Sequence, residues 1–85
     1  MTIEEYSLIL GEELTARFPD MSGNWMFDFS NCELKGDGVL IGVCGHGESF
    51  GDARSEYIRE IKGKTIVFNA MRENRREFTV PTTLE

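Results

Sequence analysis

No apolar run approaches the roughly 20 residues that a membrane-crossing helix needs. The start of the chain has neither the basic opening nor the apolar stretch of a secretion signal. These absences argue against a membrane and for a cytoplasmic protein. Cysteine is scarce, and without a secretion signal Cys32 and Cys44 read as reduced thiols rather than a disulfide. Histidine is scarcer: His46 stands alone, whereas structural zinc sites usually show two tight ligand pairs. No metal and no cofactor are therefore expected. Basic residues are almost missing from the first third. Residues 1 to 33 carry Glu4, Glu5, Glu12, Glu13, Asp20, Asp28 and Glu33 against Arg17 alone, so the whole formal charge of −6 sits there. The net basic face expected of a nucleic-acid binder is absent. A one-sided acidic field instead favours a basic partner.

What is present suits one small α+β domain over residues 1–85. Hydrophobic residues make up 40% and aromatics 11%, enough for a globular core and too apolar for a disordered chain. A core this thin gains from a partner or from self-association into a homo-oligomer. Thr2 and Glu5 form a capping box. Ile3, Tyr6, Leu10, Leu14 and Phe18 follow helical spacing, which predicts a first helix running to Phe18, with Pro19 as its stop and Arg17 covering the core edge. Trp25, Phe27 and Phe29 alternate with polar neighbours as a half-buried strand does. Gly36-Asp37-Gly38 marks a hairpin leading into the returning strand "VLIGVC". Ser49 caps a second helix with Phe50, Ala53, Tyr57, Ile58 and Ile61 buried and Gly63 at its end. "KTIVFNA" and "REFTVP" supply two more strands, joined by a turn with Asn74 at positive φ. The order α-β-β-α-β-β predicts a four-stranded, mainly antiparallel sheet with two helices on one face. The closing Leu84-Glu85 reads as a tag remnant and carries no weight.

Few residues carry chemistry. Leu8 and Ile9 do not fit the apolar stripe of the first helix. Ordinarily another element would cover them, or they would be scattered surface apolars. Functionally they form a contact patch ringed by Glu4, Glu5, Glu12 and Glu13. In "GVCGHGESFGDA" the glycines at 42, 45 and 47 lead to a helix N-terminus, which can hold an anion. The spacing is that of neither nucleotide fingerprint, and Glu48 and Asp52 oppose a phosphate, so a plain strand-to-helix connection is the better reading. Cys44 and His46, with Cys32 on the paired strand and Glu48 nearby, make only one loose pair for a zinc site. His46 with Cys44, or with Ser49, lacks an orienting third group, which argues against an enzyme. Arg54 falls inside the apolar face of the second helix and must reach water, pair with an acid or meet a ligand. An alternative site for a small anion or nucleotide therefore takes His46, Ser49, Arg54, Arg75 and Arg76.

Gly47, Ser49, Asp52-Ala53, Tyr57, Ile61, Gly63-Lys64, Arg76-Glu77 and Val80-Pro81 form a pattern that resembles small phage and prophage proteins over about the last 40 residues. "GHGESFGDA" is similar to the strand–turn–helix of HicB-type antitoxins. The chain departs from those in opening with a helix and in lacking a separate DNA-binding tail. The phage resemblance implies no catalytic residues. It implies a protein that binds and inhibits host machinery, including defence components, and here the acidic first helix would meet a host protein with a basic surface.

Overall fold

A computed structural model describes residues 1–18 and 21–85; Pro19, the expected helix stop, and Asp20 lie outside the described residues. The first helix, α1 (Ile3–Leu10), starts as its capping box dictates and stops at Gly11, whose φ of 70° is the left-handed turn that glycine adopts without strain. The expected run to Phe18 is corrected here. Leu14–Arg17 is a strand, β1, because its backbone pairs antiparallel with β2 (Trp25–Phe29). Leu14 and Phe18 fit the helical spacing only by coincidence, and Arg17 is exposed on a strand instead of covering a helix edge.

Five further strands flank the second helix: β3 (Cys32–Gly36), β4 (Val39–Ile41) and β5 (Gly45–Gly47) before α2 (Phe50–Ile61), and β6 (Thr65–Phe68) and β7 (Arg76–Thr79) after it. The sum is five strands after β1 and β2, so the chain runs α-β-β-β-β-β-α-β-β. The α+β class and the four-stranded antiparallel sheet are as expected, in the order β4-β3-β6-β7. A second, three-stranded sheet β1-β2-β5 was not anticipated. "VLI" does return on a hairpin, with Asp37 and Gly38 both at positive φ, but its partner is β3 rather than the aromatic strand. Cys32 accordingly pairs with Phe68 on β6, and Cys44 lies between β4 and β5 rather than on a strand paired with it. Left-handed backbone falls at Asn31 and Asn69, not Asn74.

The aromatic alternation builds the core. Phe27 and Phe29 are 2% exposed, and Phe29 meets Tyr6 of α1, Tyr57 of α2 and Phe68 of β6 edge-on. Ala53, Tyr57, Ile58 and Ile61 bury one face of α2, whereas Phe50 at its first turn stays 42% exposed against Trp25 and Phe27. The Tyr57 hydroxyl accepts the Phe29 amide at 3.1 Å, and burial pushes its phenol well above the ordinary value. The glycines of "CGHGES" explain how α2 sits. A Cβ on Gly45 would strike the Ala53 carbonyl and lie 2.7 Å from the Tyr57 amide, and one on Gly47 would lie 2.5 Å from the Asp52 Cβ. The helix rests on β5 backbone to backbone, so these glycines serve packing.

Leu84 reverses its expected irrelevance. Its side chain is fully buried with the core, while the Glu85 amide donates to the Met1 carbonyl at 3.0 Å and the Ile3 amide donates to the Glu85 carbonyl at 2.7 Å.

Candidate functional site

The outer face of α1 carries the most exposed apolar side chains of either helix: Leu8 is 83% and Ile9 66% exposed. No other described element covers them. The glutamates around them are not all solvated. Arg54 reaches from α2 and holds Glu4 with both arms of its guanidinium, Nε to Oε2 at 2.8 Å and Nη2 to Oε1 at 2.6 Å, and also donates to the Glu85 carbonyl. Those hydrogen bonds hold the Glu4 carboxyl below its ordinary 4.5. At the other end, Arg76 donates to the Leu10 carbonyl at 2.8 Å and to Glu12 at 3.0 Å while its guanidinium lies 4.7 Å from the centre of the Phe78 ring. It supplies the positive charge that the last turn of α1 lacks. Glu5 completes the capping box, and the Thr2 amide holds its carboxyl low. Glu13 accepts from the Ser30 hydroxyl at 3.2 Å. The patch is thus an apolar pair with a partly neutralised acidic rim.

The alternative ligand set is dispersed. Arg54 and Arg76 hold opposite ends of an eight-residue helix, about 12 Å apart along its axis. Arg75 pairs with Glu77, which also takes Lys35. The Ser49 hydroxyl is spent on the Asp52 amide. His46 stands exposed on β5, its Cα partner being Met26 on β2.

Strand alternation places Thr15, Arg17, Met26, Asp28 and His46 on the face of the three-stranded sheet turned away from Phe27. Thr15 and Ser30 share a 2.7 Å hydrogen bond, and Arg17 meets Asp28 Oδ2 at 3.4 Å. Asp28 Oδ1 is buried with no hydrogen-bond partner among the described residues. Beside this face opens a polar cleft of about 510 Å³, bounded by Arg17, Asp28, Asn31, Cys32, Asn69 and Arg72. Sequence reading missed it, because it is assembled where the two left-handed asparagines bring the ends of β2 and β6 together. Its thiol is inert: burial pushes Cys32 up to about 12. Burial and the Asp28 charge also raise Cys44, so neither cysteine is an activated nucleophile. Among the described residues, no three His, Cys, Asp or Glu side chains converge as metal ligands would, and no helix is long and apolar enough to cross a membrane.

No protein-family model matches the chain, and neither a curated protein nor a solved structure does.

Proposed function

We propose that the chain is a non-enzymatic binding protein of the phage or prophage kind, acting in the cytoplasm, that docks α1 on a basic surface of a host protein and inhibits it. One observation carries the reading: Leu8 and Ile9, adjacent and 83% and 66% exposed, crown a helix whose buried face is already filled by Ile3, Tyr6 and Leu10. Exposed apolar side chains rimmed by charge suit a contact that is steered by electrostatics and retained by burial. Glu5 and Glu13, neither of which meets an arginine here, supply the steering charge. The raised thiols of Cys32 and Cys44 favour binding over catalysis. The pattern over residues 47–81 supports the phage or prophage kinship. The small-anion alternative loses ground because Arg54 and Arg76 already have carboxylates.

The test is retention of bacterial proteins on the immobilised chain, compared with the Leu8→Asp/Ile9→Asp double variant. A host protein held by the first and released by the second, with unchanged circular dichroism, is expected. Equal retention by both sinks the α1 surface.

A further inference from the structure

Every outer strand of the two sheets except one carries an ionisable side chain: Arg17 on β1, His46 on β5, Arg76 and Glu77 on β7. The exception is β4, Val39–Ile41, which sits at the edge of the four-stranded sheet within an uncharged run from Gly38 to Cys44. Proteins normally blunt such an edge with charge, proline or a bulge. Here Val39 and Ile41 are 57% and 54% exposed. The tight turn at Asp37-Gly38 makes Gly36 and Val39 the closing pair of the hairpin, so the amide and carbonyl of Leu40 point outward.

We propose that β4 is the interface through which two copies of this chain associate, antiparallel and two-fold about Leu40. The occupant follows from self-complementarity. In that register Leu40 meets Leu40 of the other copy and the two exchange both backbone hydrogen bonds. Val39 meets Ile41 on one face, twice over, and Gly38 meets Gly42, so no like charges oppose each other although each copy carries −6. The row Ile41–Leu34–Ile66–Phe78, set by the ladder register, then continues into the second molecule. A three-residue strand buries less than the area of a standard stable interface, which makes this a weak dimer.

Sedimentation velocity over a hundredfold concentration range tests it, together with Ile41→Lys and Leu40→Cys. The wild type shifts from monomer to dimer as concentration rises. Ile41→Lys stays monomeric at least tenfold higher in concentration while keeping its melting temperature. Under mild oxidant Leu40→Cys cross-links to its own copy, since directly opposed residues lie about 5.5 Å apart at Cα, whereas the wild type with Cys32 and Cys44 does not. A chain that is monomeric throughout overturns the proposal. So does a dimer that survives Ile41→Lys without Leu40→Cys cross-linking, or one abolished by Leu8→Asp instead.

Discussion

The two helices are held by opposite means. α2 buries four side chains and lies on β5 so closely that only glycine fits at positions 45 and 47. α1 is shorter, buries three, and is fastened at each end by an arginine from elsewhere, Arg54 from α2 and Arg76 from β7. One helix is a structural member and the other is a mounted surface. A helix gripped at its ends leaves its outer face free, and that face is where Leu8 and Ile9 stand.

The contrast should break most sharply at Gly45. Gly45→Ala forces a Cβ into the Ala53 carbonyl and should cost ~3 kcal/mol. Thermal unfolding checks it, and a loss below about 1 kcal/mol would mean that α2 can lift off β5 cheaply.

Smaller effects are expected at the clamps. Arg76→Ala removes a carbonyl contact, the Glu12 pair and the ring contact with Phe78, about 1 kcal/mol after allowing for its 43% side-chain exposure. Arg54→Ala should cost roughly 0.5 kcal/mol, because Glu4 is half exposed. This second loss carries a pH signature. Glu4 has its folded value lowered, so its pair with Arg54 stabilises fully above the ordinary 4.5 and is lost as pH falls through the lower folded value. Wild type and Arg54→Ala should therefore converge in melting temperature toward low pH. A gap that is constant with pH would make Arg54 a packing residue only.

The least effect on stability belongs to the mounted face. Leu8→Ala should shift unfolding by under about 0.5 kcal/mol, since the side chain is 83% exposed. A larger loss would show that α1 relies on contacts beyond its buried face and its clamps.

What the sequence made legible was local. Thr2 with Glu5, Ser49 before Asp52, and Asp37-Gly38 are signals that span two to four residues, and each produced the cap or turn it specifies. The misfit of Leu8 and Ile9 was legible for the same reason: they break a periodicity set by their immediate neighbours. Strand β5 was not, because Gly-His-Gly has almost no side-chain pattern to read and exists through pairing with β2. β1 was misread because apolar residues four apart satisfy a helix as well as they satisfy a strand with an intervening turn. The clamps were beyond reach, as Arg54 lies 50 residues from Glu4 and Arg76 lies 64 from Glu12. Arg54 could be flagged as needing a partner, but no local rule names one.

The hydrogen bonds that tie Met1 and Ile3 to Glu85 make the described backbone almost a ring. The order of elements along the chain then reflects where that ring is open rather than how it packs. A linker of a few residues would join the present ends beside α1, and new ends could be placed in the exposed turn at Met71–Glu73. Every strand pair, both helices and both arginine clamps would survive such a permutation, with α1 moved from the edge of the sequence to its interior.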